Sequence, residues 1–167
     1  VVMSKMFMLN DAAIMNHFES DYFFWIDAGL TNTVSLDLLK NVDRLESYMI
    51  DKNFVLLSFP YESDNEVHGF DAKKFDMFCV EKSTYVCRGG FVGGEKKTLH
   101  QLNRVYYHIA DNCFCHHVMG TEENFFTIMS HDQHNLITRF ELDGNGLVYP
   151  FFEQLSQLDK KSKDNNN

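Results

Sequence analysis

The chain has 167 residues, 24 acidic against 15 basic side chains, a net charge of −9, and 44% hydrophobic and 23% charged content. That length suits a single domain with a real core, and the acidic balance excludes broad binding to a nucleic-acid backbone, which needs clustered Lys and Arg. No apolar run approaches the roughly 18 residues of a membrane-spanning helix, and no signal peptide is visible.

In chain order, residues 2–18 place Val2, Met6, Leu9, Ala13, His17 and Phe18 near one helical face. The run Tyr22-Phe23-Phe24-Trp25-Ile26 reads as a strand buried on both faces, as in a mostly parallel sheet, and it ends in Asp27-Ala28-Gly29. In that architecture ligands bind beyond the carboxyl ends of strands, so Asp27 stands where chemistry is expected. Residues 34–50, with Val34, Leu38, Val42, Leu45 and Met49, form a second amphipathic helix. Asn53–Phe59 is a strand stopped by Pro60. A long polar loop follows over 60–76, of a length that is often functional, with a short helix near 71–79.

Thr84–Cys87 is a further strand, interrupted by the turn Arg88-Gly89-Gly90-Phe91-Val92-Gly93-Gly94. Thr98 with Gln101 is a capping-box signature opening a helix through Leu99, Leu102, Val105, Tyr106 and Ile109. Thr121-Glu122-Glu123-Asn124 opens another, through Phe125, Phe126 and Met129. Leu136–Leu142 and Leu147–Tyr149 flank Asp143-Gly144-Asn145-Gly146 as a hairpin. Pro150 suits the first turn of a last helix, 151–159, and 160–167 is a polar, disordered tail. The 16 Phe residues suit an aromatic core. Cys79, Cys87, Cys113 and Cys115 lack CxxC spacing. Cys113 and Cys115 lie beside His116 and His117, but free thiols in a reducing compartment fit better than a metal site.

Three segments carry chemistry. Asp27, at a strand end, can bind a ribose hydroxyl or a divalent metal bridging phosphates; the plainer role is a turn-forming or capping Asp. In the glycine-rich run, backbone N–H groups can approach a ligand closely and Arg88 can neutralise a phosphate; the plainer role is a surface turn. Glu122 and Glu123 can supply a general base or nucleophile, or simply complement the helix dipole.

In combination, Ser4-Lys5-Met6-Phe7, Tyr22-Phe23-Phe24-Trp25-Ile26-Asp27-Ala28-Gly29, Gly89-Gly90-Phe91-Val92-Gly93-Gly94 and Gly120-Thr121-Glu122-Glu123 resemble the WlaTC/HtrL (YibB-like) family of glycosyltransferase-like proteins, over about Ser4 to Leu155. The resemblance implies an α/β fold of the GT-A, nucleotide-diphosphosugar transferase type: a mixed, mostly parallel sheet flanked by helices, in one domain over 1–159. Only 26 residues precede Asp27, so the expectation is a C-terminal portion of that fold, without its nucleotide-binding half. By the same resemblance Glu123 is the catalytic carboxylate and Glu122 orients the sugar. Asp27, Ala28, Gly29, Arg88, Gly89, Gly90, Gly93 and Gly94 surround the donor. A divalent metal, Mn²⁺ or Mg²⁺, would be held by Asp27 with His131 and His134. Gly29 stands at the second position of the Asp-x-Asp motif, which removes the usual direct ligand. His68 would touch the acceptor.

The expected activity is therefore transfer of a sugar from a nucleotide diphosphosugar to a glycan or lipid-linked saccharide, in polysaccharide biosynthesis. Such an enzyme works at the cytoplasmic face of a membrane, or in the secretory-pathway lumen if eukaryotic. Two rivals stand beside it: a catalytically silent carbohydrate-binding or scaffold protein on the same fold, and a metal-dependent phosphohydrolase using Asp27 and the histidines.

Overall fold

The structure is a computed structural model that describes residues 2–40, 44–45, 53–62, 65–143 and 148–164. Four strands, β1 (Tyr22–Ile26), β2 (Phe54–Pro60), β3 (Tyr85–Glu95) and β4 (Ile137–Glu141), form one sheet in the order β1-β3-β2-β4. Around it lie α1 (Lys5–Met15), α2 (Leu36–Leu39), α3 (Ala72–Phe78), α4 (Lys96–Cys115), α5 (Glu122–Asp132) and α6 (Tyr149–Asp164). The domain is thus α/β with helices flanking a mixed sheet. The expectation of a mostly parallel sheet is corrected: β1–β3 and β2–β3 are antiparallel and β2–β4 is parallel.

Alternation explains which strand is interior. In β2, Phe54 and Leu56 enter a core cluster with Met6, Phe75, Tyr106 and Phe125, whereas Val55 and Leu57 enter a second with Leu30, Phe91, Phe151 and Phe152. Successive side chains point to opposite faces, so a continuously apolar strand needs cover on both. The first helix-bearing face comprises α1, α3, α4 and α5; α6 covers the other. Strand β1 was expected to be buried on both faces. It is instead an edge strand, with Tyr22 and Ile26 exposed and Phe23, Phe24 and Trp25 half-buried.

Two further expectations fail for one reason. The glycine run is not a turn that ends a strand at Cys87; β3 continues through it to Glu95 and passes directly into α4. Gly93 and Gly94 lie against neighbouring backbone. A Cβ at Gly93 would stand 2.1 Å from the Phe23 carbonyl oxygen, and one at Gly94 2.0 Å from that of Asn53. These glycines permit close strand approach. Consequently α4 starts at Lys96, and Thr98 lies in its first turn, donating through Oγ1 to Glu95 Oε2 (3.2 Å), rather than capping it.

Elsewhere the expected elements are close to those observed. Helix α3 is capped by Asp71, whose Oδ1 accepts from the Lys74 N–H (2.9 Å). Leu99, Leu102, Tyr106, Ile109 and Cys113 form the buried stripe of α4 at helical spacing. Of the helix expected over 34–50, Leu36–Leu39 is helical; residues 41–43 and 46–50 lie outside the described residues. The hairpin turn likewise falls on undescribed residues 144–147, but Tyr149 begins α6 instead of a strand, and α6 runs past the expected end at 159.

Candidate functional site

The site grows from an irregularity in β3. Leu56 pairs with Val92 and the next residue, Leu57, with Arg88, so Gly89, Gly90 and Phe91 have no partners on β2. This is an enlarged bulge, a device that re-aims groups beside functional sites. Phe91 still pairs with Ile26 at the end of β1, and the Asp27 N–H donates to the Gly90 carbonyl (3.0 Å). The bulge therefore meets the carboxyl end of β1 at Asp27.

Strand β1 pairs with β3 only over residues 91–95, leaving the 85–90 stretch of that edge unpaired by strand. Helix α5 closes it. The Gly89 N–H donates to Glu123 Oε1 (3.2 Å) and the Cys87 N–H to Thr127 Oγ1 (2.9 Å), while Tyr85 hydroxyl and Ser130 Oγ are 2.8 Å apart. Residues 123, 127 and 130 lie along one helical face. This helps explain why every residue from Glu122 to Ser130 is buried: apolar positions fill the core, and Glu123 and Thr127 satisfy N–H groups of the open sheet edge.

Onto this frame α1 brings Lys5. Its ammonium lies 2.9 and 3.0 Å from the two Asp27 carboxylate oxygens, 2.8 Å from Glu122 Oε1 and 3.1 Å from the Gly89 carbonyl oxygen. The side chain is only 9% exposed. Burial works against its charge, but hydrogen bonds and Coulombic attraction from Glu122 and Asp27 outweigh that and hold its pKa above the usual lysine value. Trp25 Nε1–H donates to Asp27 Oδ1 (2.7 Å), orienting the carboxylate. Asp27 is not a side-chain cap of the short 3₁₀ segment that follows; its carboxylate accepts from Lys5 and Trp25 and keeps an exposed side.

Glu123 joins a second constellation. Besides Gly89 it meets His68 Nε2 (3.0 Å) and Arg88 (3.5 Å). Glu123 takes hydrogen bonds as an acceptor, so His68 Nε2 carries the proton and Nδ1 is left as a lone pair when the ring is neutral. His68 has a left-handed φ of 49°, a conformation that costs energy for a non-glycine residue and recurs at functional sites. Its loop is tied to α5 by Asn124 Nδ2, which donates to the Val67 carbonyl (2.8 Å). The Arg88 guanidinium packs over the Phe59 ring, 4.7 Å from its centroid, and its buried Nε has no hydrogen-bond partner.

The structure thus brings together Asp27, Arg88, Gly89, Glu122, Glu123 and His68. Ala28 and Gly29 follow on the exposed side, and Gly90 adjoins Val148. Gly93 and Gly94 lie within the sheet, paired with β1 and β2, where close strand approach accounts for them. His131 and His134 do not reach Asp27. They line a cleft of about 560 Å³ with Tyr85 and Ser130 at the opposite end of α5, and nine helical residues separate His131 from Glu122 by about 14 Å. His131 stacks on Tyr85 with centroids 4.6 Å apart, and burial lowers its pKa, against the opposing charge of Glu81 and with help from Arg139.

A divalent ion is poorly matched by this donor set. Among the described residues no group of three or more His, Cys, Asp and Glu is arranged to hold one. Both Asp27 oxygens and Glu122 Oε1 already face the Lys5 ammonium. Cys79, Cys87 and Cys113 are free thiols with pKa values pushed up by burial to about 12, 12 and 11, so they are protonated and inert near neutrality.

Residue pattern alone gives Lys5 no role and His68 only an acceptor contact. A signal existed for Lys5: a cation in the first turn of a helix opposes the helix dipole, and Lys5 sits one turn before core Leu9. For His68 no local signal existed, because its partner is 55 residues away.

The family described as "Bacterial protein of unknown function (HtrL_YibB)" matches residues 1–146. Among curated proteins none matches this chain. No described helix is long and apolar enough to cross a membrane.

Proposed function

The chain belongs to the HtrL_YibB family, and on that premise we propose that it is a glycosyltransferase, moving a sugar from a nucleotide diphosphosugar to a glycan or lipid-linked saccharide hydroxyl. A GT-A-type fold goes with this reading. The observation that carries it is the convergence on Glu123 of the Arg88 guanidinium and a half-exposed imidazole, His68, beside Asp27. An anion-binding group, a proton acceptor and a hydroxyl-binding carboxylate are the three parts this reaction needs.

In the proposed step the acceptor hydroxyl oxygen bonds to the anomeric carbon, and its proton passes to His68 Nδ1. Glu123, holding Nε2–H, orients the ring and stabilises the imidazolium. The bond from the anomeric carbon to the phosphate oxygen breaks, and its electron pair leaves with the nucleoside diphosphate, facing Arg88. Asp27, whose side chain is 43% exposed, is open to a ribose or sugar hydroxyl. Glu122, 6% exposed and directed at Lys5, shapes the bulge rather than the sugar. Glu123 is thus a positioning residue, and the catalytic base moves to His68.

The test is nucleoside diphosphate release from a panel of donors in the presence of glycan acceptors. His68→Asn should lower the rate roughly 10²–10⁴-fold, and Glu123→Gln should lower it while shifting the pH profile. Both variants should keep the native circular dichroism. A well-folded protein that neither binds nor consumes any donor would refute the reading. It would favour the silent glycan-binding alternative, for which the internal neutralisation of Glu122 by Lys5 is the supporting observation. A phosphohydrolase would instead release phosphate from simple phosphoesters, and His131 and His134 line a separate cleft with Tyr85 and Ser130.

A further inference from the structure

We infer that the Lys5 ammonium is the resident cation of this site, filling the position between Asp27 and Glu122 that a divalent ion would otherwise take. The inference does not depend on the transferase reading.

The argument starts from what surrounds Nζ. Its acceptors are two carboxylates and a backbone carbonyl, Asp27, Glu122 and Gly89. That is an all-oxygen set of the type hard divalent ions use, completed in their case by water. An ammonium has three N–H donors and finds three groups within 2.8–3.1 Å. The chain is shaped to admit this arrangement. A Cβ at Gly89 would come 2.5 Å from Glu122 Oε1, so only glycine lets that carboxylate approach. Helix formation does not explain the lysine, because the first turn of a helix disfavours a cation. Neither do surface salt bridges, because Lys5 and Glu122 are 9% and 6% exposed.

An ion entering this cluster would lie about one ammonium diameter from a buried positive charge, where repulsion is barely screened. Lys5 therefore both satisfies the carboxylates and excludes the ion. Removing it should leave Asp27, Glu122 and the Gly89 carbonyl free to coordinate a metal.

The experiment titrates Mn²⁺ and Mg²⁺ into the full chain and into Lys5→Ala, read by thermal midpoint and by Mn²⁺ electron paramagnetic resonance, with no substrate present. The expected result is no metal-dependent shift for the wild type. For Lys5→Ala, a midpoint that rises with metal is expected, with an affinity at least roughly 100-fold above the wild type's. A Lys5→Ala protein that folds only with metal counts equally in favour. Wild-type Mn²⁺ binding that disappears in Asp27→Asn would overturn the inference. So would a folded Lys5→Ala protein that gains no affinity, since Lys5 would then be only a structural ion-pair partner. If Lys5→Ala fails to fold under any condition, the wild-type and Asp27→Asn titrations decide: Asp27-dependent binding overturns the inference and its absence supports it.

Discussion

Replacing Lys5 by methionine isolates the energetic weight of the buried cluster. The substitution keeps the unbranched apolar stem and removes the charged terminal group. Its consequences differ at the two carboxylates. Asp27 is 43% exposed and keeps its bond from Trp25, so it rehydrates and contributes little, as exposed pairs do. Glu122 is 6% exposed and loses its ion-pair partner. Leaving one member of a buried pair uncompensated costs about 3–5 kcal/mol. For a chain of this size that lowers Tm by about 6–20 °C, at roughly 2–4 °C per kcal/mol. Asp27→Asn should cost less than about 1 kcal/mol. The double variant Lys5→Met/Glu122→Met removes both charges and should recover most of the loss, giving a coupling energy above about 2 kcal/mol. Urea unfolding followed by Trp25 fluorescence, the chain having one tryptophan, provides the readout. A loss below about 1 kcal/mol for Lys5→Met, or additive single and double variants, would refute the claim that Glu122 depends on Lys5.

Three further outcomes are expected. Gly89→Ala should cost about 1–3 kcal/mol, because its Cβ displaces the Glu122 carboxylate, a side chain that can give way. Gly93→Ala should cost more, because the obstacle is the Phe23 backbone, and Gly29→Ala should change stability by less than about 0.5 kcal/mol, since its Cβ meets nothing closer than 3.8 Å; chemical denaturation ranks the three. Because the folded Lys5 pKa lies above the unfolded value of 10.5, its contribution is fully present below pH 10.5 and is lost as pH rises through the folded pKa. The alkaline fall of Tm should therefore be shallower in Lys5→Met than in the wild type; equal slopes would contradict the assignment. Cys87 and Cys113, buried and held protonated, should resist a thiol reagent at pH 8 in the native fold while exposed Cys115 reacts. Rapid modification of Cys87 without unfolding would show that the α5–β3 seam opens.

Local chemistry made much of the fold readable. Tyr22–Ile26 and Phe54–Pro60 are strands because short, bulky apolar runs bounded by turn residues have few alternatives, and α4 and α5 follow from apolar spacing, with acidic residues in the first turn of α5. The misreading of β3 was equally local in origin. Glycine is the usual sign of a turn, and only the strands alongside Gly93 and Gly94 show that here it is required by close packing. Sheet direction was likewise beyond reach. An apolar strand implies cover on both faces in either orientation, and the orientation of β3 depends on which neighbours it pairs with.

Residue types by themselves singled out Asp27, Arg88, Glu122 and Glu123 as candidates for a site, since each is a charge beside a glycine, a strand end or a helix start. Only the tertiary structure decided their pairing. Lys5 claims Asp27 and Glu122, and His68 with Arg88 claims Glu123. The physical reason is range. Hydrophobic periodicity and capping act over a few residues and leave their mark in sequence, whereas an ion pair between Lys5 and Glu122 is created by burial and proximity that exist only once α1 and α5 have docked on the bulge of β3.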